Sequence, residues 1–224
     1  MIGIVVPVHN EQDHLHCCLN ALTVAAEHFS YIQKEAVEIV LVLDTCTDDS
    51  AAIATTFPVR VIEVEHTNVG MARHIGACWL LEHGARWLAF TDADSEVSHD
   101  WLSSQCELDC DAVCGNIRLA QWSQLPVVQR KRYLAHLRGS DPRRIYGANL
   151  GVCANAYRAV GGFEPRRAHE DVHLVRALQA GGFRIVWNAA SYVLTSARCK
   201  ARAPEGLGAL LQSLEVPGME RESL

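Results

Sequence analysis

Acidic residues follow apolar runs at two places in the first half of the sequence, where they could bind a metal ion or a nucleotide. Asp44 ends one apolar run, and Asp92-Ala93-Asp94 follows another. Two carboxylates on one tight turn can share a hard cation such as Mg²⁺ or Mn²⁺, because these ions prefer oxygen ligands. A site with only two protein carboxylates suits a cation that also binds a diphosphate, because substrate oxygens can fill the remaining coordination positions. These residues therefore predict an enzyme that holds a divalent metal and a nucleotide.

Each of these carboxylates also has a structural alternative. An Asp-x-Asp sequence is common in solvated turns and can cap a helix, but its place directly after a buried strand favours the metal site. Asp44 could accept hydrogen bonds from a nucleobase imide or a ribose hydroxyl, or it could be a turn residue. A turn or cap role fits Thr47 and Asp48 better than Asp44, so the binding role is favoured.

Further charged groups stand at the starts of two predicted helices. Arg73 lies near the start of one, where it could bind a phosphate through two N–H groups or face solvent. Glu170-Asp171 opens the other. A carboxylate there could accept a proton from an attacking hydroxyl, or could only complement the helix dipole. The flanking His169 and His173 are metal-ligand or proton-carrier candidates, although packing or surface roles are commoner for histidine.

Apolar periodicity predicts the elements that position these groups. Strands are expected at residues 2–8, 37–43, 59–64 and 86–90, with helices between them that begin after Asn10, Thr47 and Asn68. This alternation predicts a doubly wound, mostly parallel α/β sheet with helices on both faces. Such sheets bind ligands beyond the carboxyl ends of their strands, which is where Asp44 and Asp92 stand.

The second half of the chain is less regular. We predict a helix after Ser98, a strand at 112–119, a helix at 124–137, either a strand or a tight loop at 147–154, a helix at 170–180 and short strands at 184–187 and 192–194. The expected organisation is one domain at 1–202, with a nucleotide-binding half at 1–118 and an acceptor-side catalytic half at 119–202. A flexible tail is expected at 203–224, and its last ten or so residues should be poorly ordered.

Composition limits the class of protein. The chain has 224 residues, of which 49% are hydrophobic, and a formal net charge of -6, which argues against bulk nucleic-acid binding. No apolar stretch is long enough to span a bilayer. Nine cysteines without an export signal indicate buried, reduced thiols in the cytoplasm. A basic stretch at 130–144 could meet an anionic lipid surface or a phosphorylated acceptor, but a solvated helix face is the commoner role.

Taken in order, seven short motifs make a specific set. They are Val6-Pro7-Val8-His9-Asn10-Glu11, Asp44-x-x-Thr47-Asp48-Asp49-Ser50, Asn68-x-Gly70-x-Ala72-Arg73, Asp92-x-Asp94, Gly147-Ala148-Asn149, Gly161-Gly162-Phe163 and Glu170-Asp171. Over roughly residues 1–195 the chain resembles the family 2 glycosyltransferases, which have the GT-A fold. Each motif alone is weak, and the ordered set carries the resemblance.

The resemblance implies a role for each motif. The turn formed by Pro7, Val8, His9, Asn10 and Glu11, together with Asp44, Arg73 and Asp92-Ala93-Asp94, would bind the nucleotide-sugar. Asp94, with Asp92, would hold Mn²⁺ or Mg²⁺ on the diphosphate. Gly147, Ala148 and Asn149 would line the donor-sugar and acceptor side. Asp171 would be the catalytic base, and Glu170 would support it or contact the acceptor.

The reaction implied is transfer of a sugar from a nucleotide diphosphate sugar, with UDP favoured, to an acceptor hydroxyl with inversion. Two sequence features leave details open. Thr45-Cys46-Thr47 stands where many members have a second Asp followed by Gly or Asn, so the base is undecided. Thr195-Ser196-Ala197-Arg198 is a candidate for closing over the donor. The acceptor is not identified, and a lipid-linked one reached by peripheral membrane contact stays open.

Three other functions compete with this one. A nucleotidyltransferase would carry a Gly-rich basic loop after the first strand, where this chain has Pro7-Val8-His9-Asn10-Glu11. A retaining transferase could share the metal motif without using Asp171 as a base. A catalytically silent module could keep the fold and bind a nucleotide-sugar.

Overall fold

The computed structural model describes residues 1–198 and 206–215. Within them, eight strands form one sheet in the order β3-β2-β1-β4-β7-β6-β8-β5. The strands are β1 Ile2–Val8, β2 Val37–Asp44, β3 Arg60–Val64, β4 Trp87–Phe90, β5 Ser95–Glu96, β6 Ala112–Leu119, β7 Leu150–Cys153 and β8 Ile185–Thr195. The pairs β3-β2, β2-β1, β1-β4 and β6-β8 are parallel. The predicted mostly parallel sheet is confirmed.

Helices cover both faces of this sheet, as predicted. They are α1 Leu15–Gln33, α2 Ser50–Ala54, α3 Val69–Glu82, α4 Ser103–Cys106, α5 Val127–Gly139, α6 Ala154–Ala159, α7 Glu170–Ala180 and α8 Leu207–Ser213. One apolar core lies between the sheet and α1, and a second lies between the sheet and the α3 and α7 side. The central strand β1 reads as a continuous apolar run because its residues contribute to both cores.

The antiparallel strand β7 shapes the functional edge of the sheet. It pairs with β4 on one side, where Phe90 lies opposite Leu150, and with β6 on the other. Because β7 runs against β4, the short 3-10 turn Gly147–Asn149 before it lies at the same edge as the carboxyl ends of β1 and β4. A strand or a tight loop was predicted at 147–154, and the structure has both, because the turn at 147–149 is followed directly by β7.

Three predicted helix caps are wrong. The helix expected after Asn10 begins at Leu15, and Asn10 itself has a φ of 53° and accepts a hydrogen bond from the Thr47 N–H at 2.7 Å. The other two helices begin at Ser50 and Ser103, three and five residues after the predicted caps. Side chains that favour helix caps can also bond to nearby loops. Contacts with residues distant in sequence determine which of these two roles each side chain takes.

Two further differences concern strands. The separate strands expected at 184–187 and 192–194 are one strand, β8, whose pairing with β6 shifts register between Gly115 and Asn116. Residues 189–191 have no partner in the register with β6, so the two apolar runs pair with β6 on either side of a bulge. The short strand β5, which pairs with the end of β8, was not predicted.

Part of the expected tail packs against the domain. Helix α8 lies in a small apolar cluster that includes Leu119, Leu125, Tyr133 and Leu211. The Gln129 side chain donates to the Leu211 carbonyl at 2.8 Å. The expectation of disorder for the last ten or so residues falls almost wholly outside the described residues. None of the helices in the described ranges is long and apolar enough to cross a membrane.

Candidate functional site

The predicted site residues meet at the carboxyl edge of the sheet, around Arg73. This side chain is 4% exposed; its Nη2 lies 2.5 Å from Asp92 Oδ1, and its Nη1 donates to Glu170 Oε1. Burial lowers the pKa of Arg73, but the charges of Asp92, Glu170 and Asp171 raise it by more. The alternative of an arginine on a solvated helix face is therefore wrong. Arg73 joins the turn at 92–94 to the start of α7.

The start of helix α3 gives Arg73 this position. Asn68 caps the helix, and its Oδ1 accepts a hydrogen bond from the Met71 N–H at 2.9 Å. Helix α3 packs against β1 and β2, and Ala72, which precedes the arginine, is fully buried. Small residues in the first two turns therefore bring the arginine close enough to the strand ends to reach Asp92.

Asp171 lies on the other side of the arginine, at the start of α7. Its Oδ2 accepts a hydrogen bond from the Gly147 N–H at 2.7 Å. Burial and the neighbouring charge of Glu170 raise the pKa of Asp171, and Arg73 lowers it by less. The Gly147 backbone also approaches the guanidinium, because a Cβ at this position would lie 2.6 Å from Arg73 Nη2. Residues far apart in sequence thus form one wall of ion-paired and hydrogen-bonded groups.

Asp94 belongs to a second ion cluster beside the first. Its Oδ2 lies 2.9 Å from Arg198 Nη2, and Arg198 also contacts both carboxylate oxygens of Glu11 at 2.7 Å. Burial and the charge of Asp92 raise the pKa of Asp94 to about 6, against the opposing effect of Arg198. The sequence predicted the segment 195–198 as a candidate for closing over the donor, but it did not predict that Arg198 pairs with Glu11 and Asp94.

The residues present fit a hard divalent cation. Asp92 and Asp94 offer carboxylate oxygens, the ligands that hard cations prefer. Burial and, to a lesser degree, the charge of Asp92 raise the pKa of Asp94, and a bound cation would favour its ionised form. No group of three or more His, Cys, Asp or Glu side chains arranged for a metal occurs in 1–198 and 206–215. A cation held here would therefore need water or a ligand's oxygens to complete its coordination.

Asp44 fixes a loop in this structure. Its carboxylate accepts hydrogen bonds from the backbone N–H groups of His66, Thr67 and Asn68, each at 2.7 Å. Burial raises the pKa of Asp44, but these bonds lower it by more. The ring of His9 bonds to the Asp44 carbonyl at 2.7 Å. Asp44 thus orders the segment that leads to the Asn68 cap and to Arg73.

Several other predicted site residues lie inside the protein. Val8, Ala93 and Ala148 are almost fully buried. Asn149 is fully buried; it accepts a hydrogen bond from Trp101 Nε1 and donates one to the Asn116 carbonyl, each at 2.9 Å. The side chain of Asn149 therefore joins β6 to the loop before α4, and only the backbone around it reaches the site wall.

Comparison with known proteins agrees with this fold. The chain belongs to Glycosyl transferase family 2, whose sequence profile matches residues 3–161. It is 27% identical over 124 residues to the glycosyltransferase GlyA of Streptococcus pneumoniae serotype 4, a match covering 51% of this chain and 16% of GlyA. The chain therefore spans a small part of that relative.

Solved structures of similar fold extend the comparison. The mannosyltransferase PcManGT of Pyrobaculum calidifontis, solved with GDP-Man and Mn²⁺, matches 90% of this chain and 58% of its own, with a TM-score of 0.66 and 18% identity. Glucosyl-3-phosphoglycerate synthase of Mycobacterium tuberculosis, solved with Mn²⁺, UDP and phosphoglyceric acid, matches 96% and 75%, with a TM-score of 0.62 and 16% identity. These likenesses confirm the predicted GT-A fold.

Proposed function

We propose that this protein is a metal-dependent glycosyltransferase that moves a sugar from a nucleotide diphosphate sugar to an acceptor hydroxyl with inversion. The observation that carries the proposal is the Arg73 bridge, in which this side chain pairs with both Asp92 and Glu170. Asp171 follows Glu170 in the first turn of α7. A donor-side carboxylate and a buried carboxylate for the acceptor thus share one wall. Family membership supports the reaction class.

The donor would lie along the edge from β2 to β4. The turn at 7–11, Asp44 and the loop that it orders would border the base and ribose, and Asp92 with Asp94 would face the diphosphate. Asp92 and Asp94 would hold Mn²⁺ or Mg²⁺, which offsets the negative charge that develops on the leaving diphosphate. We favour a UDP-sugar from the sequence resemblance. The GDP-Man and UDP bound to the two similar structures keep both bases in the test.

Asp171 would act on the acceptor hydroxyl. The oxygen attacks the anomeric carbon while the bond from that carbon to the diphosphate oxygen breaks, and the hydroxyl proton passes to Asp171. The raised pKa of Asp171 makes its carboxylate a stronger base than an ordinary aspartate. The bond from the Gly147 N–H fixes one carboxylate oxygen, and Glu170 keeps Arg73 in place.

A thermal-shift screen tests this function. UDP, GDP and their sugar conjugates are added with and without Mn²⁺, because a ligand that binds the native state raises the melting temperature. We expect one nucleotide series to stabilise the protein only with the cation, and we expect the matching donor to be consumed when an acceptor is supplied. Stabilisation without consumption would indicate the silent binding module instead, and retention of anomeric configuration in the product would exclude Asp171 as an inverting base.

A further inference from the structure

A small cavity lies between strands β6 and β8 and the loop that follows α5. Its volume is about 200 Å³, and its lining includes Cys114, Asn116, Arg143, Arg144 and Trp187. This volume is below the range of about 300–1,000 Å³ for pockets that take drug-sized ligands. The cavity therefore suits one small molecule or one head group rather than an extended chain.

Two of the residues that line the cavity, Cys114 and Arg144, connect it to Asp171. Cys114 pairs with Leu150 of β7 and with Trp187 of β8, and all three belong to the apolar core that also contains α7. Arg144 is three residues from Gly147, whose N–H binds Asp171, so at most about 10 Å of backbone joins them. Burial and, to a lesser degree, the charge of Asp171 raise the pKa of Cys114 to about 12. The proton acceptor and the cavity are therefore neighbours.

The polar groups at this cavity are mainly hydrogen-bond donors. Arg143 and Arg144 bring two guanidinium groups, and the Arg143 guanidinium lies 5.8 Å from the centre of the Trp187 ring. Arg144 is held in position by Ser140 and by the Leu137 carbonyl. The Trp187 indole nitrogen is buried, and it has no hydrogen-bond partner within the part of the chain that the structure describes. A buried indole N–H of this kind needs an acceptor.

We propose that this cavity is the acceptor subsite and that it binds the carboxylate or phosphate group of a small, hydroxyl-bearing acid. The inference rests on the proposed function, because Asp171 is the group that such a hydroxyl would face. The two guanidinium groups supply the positive charge, and the Trp187 indole N–H supplies a directed hydrogen bond. Asp141 lies 3.8 Å from the Arg143 guanidinium, so an anion in the cavity would compete with this carboxylate. A neutral polyol of the same size would gain nothing from the charge of either arginine.

Nuclear magnetic resonance of the indole N–H groups tests the site directly. The chain has five tryptophans, and loss of one signal in Trp187→Phe assigns the signal of Trp187. Glycerate and glycerol phosphate are titrated as the carboxylate and phosphate probes, and glycerol is the neutral control. We expect saturable shifts of the Trp187 signal with one or both acids and none with glycerol. No shift with either acid, or equal shifts with glycerol, would overturn the proposal.

Two variants sharpen the result. Arg143→Gln should weaken binding of the acid by about tenfold or more, the loss of one charge-assisted hydrogen bond. Arg143 is 65% exposed, so this change should not disturb folding. Arg138→Gln is the matched control, because Arg138 is an exposed residue of α5 in the same basic stretch. Equal affinity in the Arg143 and Arg138 variants would show that the acid does not bind at this cavity.

Nucleotide binding in the same preparation separates the two proposals. If UDP and GDP fail to bind with Mn²⁺ while the Trp187 signal still responds to the acids, the transferase function fails and the anion site stands. If a nucleotide binds and the indole does not respond, the anion site fails and the donor site stands. With a bound donor, we expect transfer to the responding acid to exceed transfer to glycerol by about tenfold or more.

Discussion

Arg198 donates from its two terminal nitrogens to the two carboxylate oxygens of Glu11, each at 2.7 Å, although 187 residues separate them in sequence. The same guanidinium reaches Asp94 at 2.9 Å. A planar guanidinium matches two carboxylate oxygens with two parallel bonds. The segment after β8 is therefore fastened to the turn after β1, and the charge of Asp94 is balanced by a residue that follows the last strand.

Replacing this arginine should make the protein less stable and more responsive to cations. Arg198→Gln removes the positive charge that contacts Glu11 and Asp94, so we expect the free energy of unfolding to fall by about 1–3 kcal/mol. Added Mn²⁺ should raise the melting temperature more in this variant than in the wild type, because no guanidinium then competes for Asp94. Thermal unfolding with and without MnCl₂ measures both effects.

Arg184→Gln is the control for that experiment. Arg184 pairs with Asp109 at 2.7 Å, but both side chains are largely exposed, and exposed pairs of this kind contribute little. If Arg198→Gln unfolds at the same temperature as Arg184→Gln and shows no larger cation effect, the Arg198 cluster has no role in stability or in balancing Asp94.

Arg73→Lys should damage the site more severely. A lysine ammonium cannot bridge Asp92 and Glu170 as a guanidinium does, so either the buried Glu170 or the half-buried Asp92 loses its partner. We expect a loss of about 3–5 kcal/mol in the free energy of unfolding, the usual cost of breaking a buried ion pair. Chemical denaturation measures it, with Arg176→Lys on the exposed face of α7 as the control. Equal stability of the two variants would contradict the bridging role.

The sequence was sufficient to predict strands β1 to β4 of the sheet, because apolar periodicity reflects local burial. Strand β1 and helix α7 have the predicted bounds, and Asp44 and Asp92 stand at strand ends as expected. Groups whose partners are distant in sequence were not predictable in this way. Asparagine is common at helix caps and in ligand sites, which is why Asn10 and Asn149 were predicted to have these roles. Instead, Asn10 bonds to Thr47, and Asn149 bonds to Trp101 and Asn116.

The same limit applies to charges in the site. Arg73 could be placed near the strand ends from its position in α3, but its burial depends on Glu170, which is 97 residues away. Arg198 is a stronger example of this limit, because no local sequence pattern connects it to Glu11. Charge pairs between distant residues leave no periodic pattern in the sequence, so sequence reasoning found the carboxylates and both arginines but not the pairs of Arg198.

The raised pKa of Asp94 predicts a pH-dependent effect of cations. Its folded-state pKa of about 6 exceeds the unfolded value, so without a cation its contribution to stability is lost as pH rises from about 4 to 6. A divalent cation binds the ionised form of Asp94. The rise in melting temperature caused by Mn²⁺ should therefore be small below about pH 6 and larger above it. Thermal unfolding at several pH values measures this effect.

Asp94→Asn should abolish that pH dependence. The control is Asp13→Asn, at an exposed position in the loop between β1 and α1, which should leave the pH dependence unchanged. We expect Asp94→Asn to lower turnover by about 10²–10³-fold, as for other losses of electrostatic stabilisation. Chelation by EDTA should suppress turnover in the wild type, and Mn²⁺ or Mg²⁺ should restore it. Full activity of thoroughly chelated enzyme would remove the cation from the reaction.

Asp171→Asn should separate catalysis from donor binding. The amide cannot accept the acceptor's proton, so we expect turnover to fall by about 10²–10⁴-fold while nucleotide affinity, measured by calorimetry, stays near the wild-type value. In the wild type, turnover should decline toward acid with a midpoint above the ordinary aspartate pKa of about 3.9, because burial raises the pKa of this carboxyl. Turnover like that of the wild type in the variant would refute the assigned base.

Gly147→Ala tests how closely the two halves of the site are packed. The added Cβ would lie 2.6 Å from Arg73 Nη2 and 2.7 Å from Cζ, and the guanidinium cannot retreat without leaving Asp92 or Glu170. We expect a loss of about 1–3 kcal/mol in stability, typical of overpacking, together with reduced turnover, because the Gly147 N–H also binds Asp171.

Gly139→Ala is the matched control for this change. A Cβ at Gly139, the last residue of α5, would meet no atom within 4 Å. Alanine there should be neutral or should stabilise the helix by up to about 1 kcal/mol. Parallel denaturation and turnover measurements decide the matter: if both alanine variants behave alike, the backbone at 147 does not constrain Arg73, and the donor and acceptor sides are less tightly coupled than the Arg73 bridge indicates.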